Sequence, residues 1–82
     1  MAQSSRSALR SFILSLPLDG NHQLSTGVFV NSHDGSGTKW HLPVVEVYRY
    51  GKKGIACVSD RINSWTVNEL TETECSAILA VL

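Results

Sequence analysis

The chain has 82 residues, of which 43% are hydrophobic and 17% are charged, and its seven basic residues balance its seven acidic ones. This composition excludes the charge-rich class of intrinsically disordered chains, and the zero net charge excludes binders that rely on a long-range field to reach nucleic acid or a membrane surface. We expect one compact domain over residues 1–82, because this length leaves room for a single hydrophobic core.

The N-terminal segment predicts a helix from about Ser5 to Ser15. Its apolar residues recur at helical spacing, so that one face carries Ala8, Leu9, Phe12, Ile13 and Leu16. Pro17 disfavours helical backbone at the residue before it, and the Asp-Gly-Asn turn residues that follow reverse the chain.

Two other interpretations of this segment compete with the helix. The first 16 residues are rich in serine and contain two arginines and no acid, which is the composition of an organelle transit peptide. We predict an ordinary first helix instead. The longest apolar stretch, Phe12 to Leu18, is interrupted by Ser15 and Pro17 and is far shorter than the ~20 residues that a membrane span needs. We therefore predict no membrane partner.

Strand-forming residues dominate the middle of the chain and predict three strands, at Leu24–Val30, Trp40–Tyr50 and Ile55–Val58. Pro43 interrupts the second strand and favours an edge or a bulge there, because it cannot donate to a ladder. Turn residues predict a loop at 31–37 and a hairpin loop at 51–54. The stretch 59–67 is ambiguous between a loop and a short fourth strand.

The C-terminal segment gives the clearest local pattern. Thr71 followed three residues later by Glu74 forms a capping box, and acids cluster in the first turn. A helix is predicted from Glu72 to about Val81, with an apolar stripe of Cys75, Ile78, Leu79 and Leu82. The predicted fold class is α+β: a helix, a three- or four-stranded antiparallel sheet and a second helix, an αβββα-like order in which both helices cover one face of the sheet.

One stretch is singled out as a candidate binding site, the hairpin tip that carries Tyr48, Arg49, Tyr50, Lys52 and Lys53. Three cations beside two aromatic rings can contact phosphates and stack bases, or bind an acidic protein surface. A nucleic-acid-binding module is therefore one alternative function. The purely structural interpretation is that lysines at the turn protect an edge strand and that one tyrosine belongs to the core.

No motif for catalysis or metal binding stands out. The candidate metal ligands are His22, His33, His41, Cys57 and Cys75. They lack CxxC, HxxxH or HExxH spacing, so we predict no bound metal and no cofactor. His33 with Asp34, and Asp60 with His41, are conceivable pairs for hydrolytic or ribonuclease chemistry. A small hydrolase or ribonuclease-like toxin is the second alternative function, although so short a chain leaves little room for a cleft.

The order of elements is similar to that of the double-stranded RNA-binding fold and of the small endoribonuclease toxins built on a similar plan. In that RNA-binding family the second helix opens with a lysine-rich motif that meets phosphates. The corresponding turn here consists of Thr71, Glu72, Thr73 and Glu74. Acids at this position would repel the RNA backbone, so RNA binding by that route is not expected.

We therefore predict a non-catalytic regulatory or inhibitory module that acts by contact with another protein. A core this small rarely supplies more than about 3 to 5 kcal/mol of net stability, so a homodimer would be a natural supplement. Proteins of this small size are often encoded by phages or mobile elements, and a viral origin is part of the hypothesis. Two cysteines without a secretory signal favour free thiols and a cytoplasmic location.

Overall fold

The computed structural model describes residues 4–33, 39–58 and 64–82, which form two α-helices and a four-stranded antiparallel sheet with the strand order β1-β2-β3-β4. The predicted α+β class is confirmed. The elements in chain order are α1 (Ser5–Leu14), β1 (Asn21–His33), β2 (Lys39–Tyr50), β3 (Lys53–Val58), β4 (Ser64–Thr66), the 3-10 helix η1 (Val67–Glu69) and α2 (Glu72–Val81). None of the helices in these residues is long and apolar enough to span a bilayer.

Helix α1 begins at the predicted residue and ends one residue earlier than predicted. The Ser4 side chain caps it by accepting a hydrogen bond from the Ser7 N–H, at 3.1 Å. Leu9 and Ile13 are its buried residues. After the helix, Asp19 adopts a left-handed backbone with φ +59°, which aspartate tolerates better than most side chains, and the chain reverses into β1.

The prediction of a loop at 31–37 was wrong for residues 31–33, which belong to β1. They pair with β2 through Asn31–His41, Ser32–Trp40 and His33–Lys39. Turn-forming residue types are overridden here because the facing strand satisfies their backbone groups. The rest of the predicted loop, 34–37, lies outside the described residues.

The prediction that Pro43 interrupts the second strand was also wrong, because β2 is continuous from Lys39 to Tyr50 and Pro43 pairs with Phe29. Strand β2 is also not an edge strand, since it lies between β1 and β3. The described register with β3 ends at Val44–Val58, one residue after Pro43, and it shifts between Val44 and Glu46. The bulge that proline favours is therefore adjacent to it.

The hairpin between β2 and β3 is tighter than predicted. Tyr50 pairs with Lys53, so the loop contains two residues, Gly51 and Lys52, and β3 begins two residues earlier than predicted. Gly51 has φ +58°, a value that glycine adopts without strain. In the ambiguous stretch, residues 64–66 form the fourth strand by pairing with β3, and residues 59–63 lie outside the described part.

Both α-helices, the first three strands and η1 each contribute at least one side chain to the core. Its buried residues are Leu9, Ile13, Val28, Val30, Val44, Val47, Ala56, Val67, Leu70, Cys75 and Ile78. The predicted stripe of α2 is confirmed: Cys75 and Ile78 are fully buried, and Leu79 and Leu82 pack against the core while partly exposed.

Helix α2 has the predicted bounds and the predicted capping box. The Thr71 hydroxyl accepts a hydrogen bond from the Glu74 N–H (3.1 Å), and Glu74 Oε1 accepts one from the Thr71 N–H (2.9 Å). The second oxygen, Oε2, accepts a hydrogen bond from the Asn31 N–H of β1 at 2.6 Å. Glu74 is only 6% exposed. One buried carboxylate therefore caps α2 and also binds the edge strand of the sheet.

Loss of this carboxylate should destabilise the protein more than loss of the cap alone. Thr71→Ala should lower the free energy of unfolding by about 0.5 to 2 kcal/mol. Glu74→Ala should lower it further, because hydrogen bonds to a charged group contribute roughly 1.5 to 3 kcal/mol and the Asn31 N–H loses its acceptor. Urea unfolding measures both, with the exposed Thr73→Ala as the control. Equal midpoints for Thr71→Ala and Glu74→Ala would contradict the larger contribution expected of the carboxylate.

The Cys75 thiol makes stability depend on alkaline pH. Burial raises its pKa above the ordinary value of 9.0, and the Glu72 and Glu74 carboxylates add to the rise while Arg6 opposes it. The folded state thus keeps the thiol proton at a pH where the unfolded chain has lost it. This contribution to stability is complete below the unfolded pKa and is lost as the pH rises through the folded pKa.

The free energy of unfolding should therefore fall between pH 7 and about pH 10 by more in the parent than in Cys75→Ala. Urea unfolding at both pH values measures the difference, and Thr73→Ala should retain the parent's pH dependence. Parallel pH profiles of the parent and Cys75→Ala would rule out this thiol as the cause.

Candidate functional site

The predicted binding residues lie at the end of β2, in the two-residue turn and at the start of β3. Side chains alternate between the two faces of a strand, so Tyr48 and Tyr50 share one face of β2 and Arg49 lies on the other, together with the core residue Val47. Lys52 and Lys53 are exposed at the turn. The fold thus divides the five residues among three surroundings.

Arg49 is half-buried and binds backbone carbonyls. Its Nη1 donates to the carbonyl of Leu14, the last residue of α1 (3.1 Å), and to the carbonyl of Leu16, two residues later (3.2 Å). Its Nε donates to the Gly51 carbonyl (2.7 Å). The last carbonyls of a helix lack partners within the helix and carry partial negative charge. Arg49 therefore joins the end of α1 to the hairpin turn.

Tyr48 and Tyr50 line an open groove of about 340 Å³ together with Asp19 and Asn21. Tyr50 is 64% exposed, whereas Tyr48 is half-buried. The groove thus combines two aromatic rings with one carboxylate. This combination suits a cationic side chain, which aromatic faces and a carboxylate both attract, and it disfavours a phosphate.

Lys52 and Lys53 line a different cleft, of about 130 Å³, and none of its described lining residues also lines the tyrosine groove. Arg10 of α1 faces the same cleft, and Gly54, Thr66, Val67 and Asn68 complete its lining. The sequence interpretation placed Arg10 on the polar side of α1 and assigned it no role in binding. Arg10 follows Arg6 by four residues, and this spacing indicates a basic face of the helix. The sequence does not indicate that this face lies beside the hairpin, because the two segments are far apart in the chain.

A third feature lies on β1 and β2, on the side away from the buried Val28 and Val30. The Phe29 and His41 rings stack with their centroids 4.7 Å apart and their planes 5° from parallel. His41 Nδ1 lies 3.0 Å from Asn31 Oδ1. The Phe29 ring lies across Gly27, where an added Cβ would come within 2.8 Å of the ring, so glycine is what allows this ring position.

The histidines and cysteines considered for metal or catalytic chemistry have other surroundings in the fold. Within residues 4–33, 39–58 and 64–82 no three His, Cys, Asp or Glu side chains gather as a metal site would require. His22 packs edge-on against Phe12, at 6.2 Å between ring centroids. Cys57 and Cys75 are buried, and they are not joined in a disulfide. Of the two conceivable catalytic pairs, Asp34 and Asp60 lie outside the described residues, and so does the side chain of His33.

Comparison with known proteins adds no relative. No protein-family model matches the chain, and neither curated proteins nor solved structures give a significant match. Its function is therefore inferred from its own residues.

The position of Arg49 predicts a structural role that can be separated from binding. Arg49→Met keeps much of the aliphatic stem but removes all three hydrogen bonds, and it should lower the free energy of unfolding by about 1.5 to 3 kcal/mol. Lys52→Met, at the exposed turn, should stay within about 0.5 kcal/mol of the parent. Thermal or urea unfolding compares the two. If Arg49→Met unfolds like Lys52→Met, the guanidinium is free to bind a ligand instead.

Proposed function

We propose that this chain is a non-catalytic regulatory or inhibitory module that acts by binding another protein. The contact surface is the outer face, defined as Phe29, Asn31, His41, Tyr48 and Tyr50. The observation that carries the proposal is the exposure of large rings there: Phe29 is 41% and Tyr50 is 64% exposed. Aromatic residues are enriched in the energetically dominant parts of protein interfaces, because they bury a large area with little loss of side-chain freedom.

The helices are proposed to cover the opposite face of the sheet, as the sequence predicted. In support, α1 and α2 pack against each other, and both contribute buried residues to the core that holds Val28, Val30 and Val47. Side chains next to these valines along the strands then point away from the helices. The outer face is left for a partner.

A face contact agrees better with the structure than the addition of a strand to the sheet. Strand β1 is at one edge, but its Asn31 N–H already donates to Glu74 Oε2. Strand β4, at the other edge, has three residues in the part of the chain that the structure describes. An incoming strand needs a row of free backbone groups, and the Glu74 bond interrupts that row on β1.

A protein partner agrees better with the structure than nucleic acid does. Stacking of bases requires cations close to the aromatic rings, to bind the phosphates. Here Arg49 binds carbonyls, the two lysines line a separate cleft, and Asp19 shares the groove with the tyrosines. A partner that inserts an arginine or lysine into the tyrosine groove is complementary to it.

The proposal also includes the cellular location, the possible homodimer and the origin that the sequence predicted. A cytoplasmic location is supported by two buried cysteines that are not joined in a disulfide, since an oxidising compartment favours disulfides. A second copy of the chain is one form that the protein partner can take. A phage or mobile-element origin stays part of the hypothesis on grounds of size alone.

Tyr50→Ala and Phe29→Ala should abolish capture of the partner, while Val81→Ala should not. Val81 is a matched control because it is also 41% exposed but lies on α2. Tyr50→Ala should remain within about 0.5 kcal/mol of the parent in stability, since the side chain is largely exposed. Cross-linking and mass spectrometry identify the partner, and analytical ultracentrifugation detects self-association. A strictly monomeric protein that captures nothing, or capture unaffected by both variants, would overturn the proposal.

A further inference from the structure

The cleft beside the hairpin brings three cations together. Its described lining comes from α1, the turn, β3, β4 and η1, and among these residues it contains Arg10, Lys52 and Lys53 but no carboxylate. All three cations are exposed, and none forms an ion pair with a carboxylate of the described residues. By contrast, Arg6, one turn earlier on α1, lies 3.7 Å from Glu72. In a chain of zero net charge, this is a local concentration of positive charge.

The carboxylate nearest to the cleft along the chain does not line it. Glu69 follows the lining residue Asn68, but its Oε2 accepts a hydrogen bond from the Thr66 N–H at 2.6 Å. This carboxylate is therefore held at the backbone of the β4–η1 junction. The three like charges repel one another, and an anion between them would relieve that repulsion.

The floor of the cleft depends on a glycine. A Cβ at Gly54 would come within 2.9 Å of Val67 Cγ2 and 3.3 Å of Ile13 Cδ1. The absence of a side chain lets α1 and η1 approach the start of β3, which brings Arg10 near the hairpin lysines. The packing of α1 and η1 against β3 thus brings the three cations together, although their side chains are exposed.

The size and the donors of the cleft select a small oxyanion. A volume of about 130 Å³ is well below the roughly 300 to 1,000 Å³ of pockets that enclose drug-sized ligands. An arginine fork matches two phosphate oxygens, lysines add positive charge, and the Thr66 hydroxyl and the Asn68 amide supply further donors. We propose that Arg10, Lys52 and Lys53 bind a phosphate monoester group, or phosphate itself, in this cleft.

This site is independent of the outer face and does not rest on the proposed protein contact. Its test is titration of the intact protein with inorganic phosphate, with adenosine 5′-monophosphate and with adenosine, followed by two-dimensional NMR at low ionic strength. Phosphate and the nucleotide should give saturable shifts at the amides of 52–54 and 66–68, and adenosine should give none. Tighter binding of the nucleotide identifies an esterified phosphate as the ligand, and equal binding identifies the free ion.

Arg10→Gln and Lys53→Gln should each weaken binding about tenfold or more, because each removes a charge-assisted contact. Arg6→Gln is the matched control on the same helix and should change the affinity less than about twofold. Tyr50→Ala should bind phosphate like the parent, which separates this site from the outer face. The proposal is overturned if no saturable shift appears by about 10 mM phosphate, if sodium chloride reproduces the shifts, or if Arg10→Gln binds like the parent.

Discussion

The Glu74 carboxylate is the interaction on which the arrangement of this fold depends. Its two oxygens bind two elements, the first turn of α2 and the edge strand β1. A carboxylate suits this position because the N-terminus of a helix presents unpaired N–H groups and partial positive charge. The same side chain accepts a hydrogen bond from the Asn31 N–H at the edge of the sheet, and this fixes the position of α2 relative to β1. Cys75 and Ile78 of α2 then lie in the core.

Local patterns were sufficient to predict α2, and α1 to within one residue, because capping residues and helical spacing involve positions that are close together in the sequence. The ends of the strands were not predictable in this way. Asn31 looks like a turn residue, and Pro43 like a strand breaker, until the facing strand is known. Strand limits depend on pairing between distant segments, which residue types constrain only weakly.

The candidate site shows the same division between local and distant information. Lysines at a glycine turn correctly marked an exposed hairpin, but the partners of its side chains come from elsewhere. Arg49 binds the end of α1, more than thirty residues away in sequence, and Lys52 and Lys53 meet Arg10. Residues adjacent along a strand point to opposite faces, which separates Arg49 from the two tyrosines. Lys53 pairs with Tyr50 across the hairpin, yet it lines the cleft that contains Arg10, and the tyrosines line a groove that contains Asp19.

The bond between Asn31 and Glu74 joins residues 43 positions apart, and this has a consequence for the order in which the chain is made. Synthesis proceeds from the N-terminus, so β1 leaves the ribosome well before the carboxylate that covers its edge. In that interval the Asn31 N–H at the edge of β1 is open to pairing with other nascent chains. Completion of the C-terminal helix is therefore the step that occupies this position of the edge.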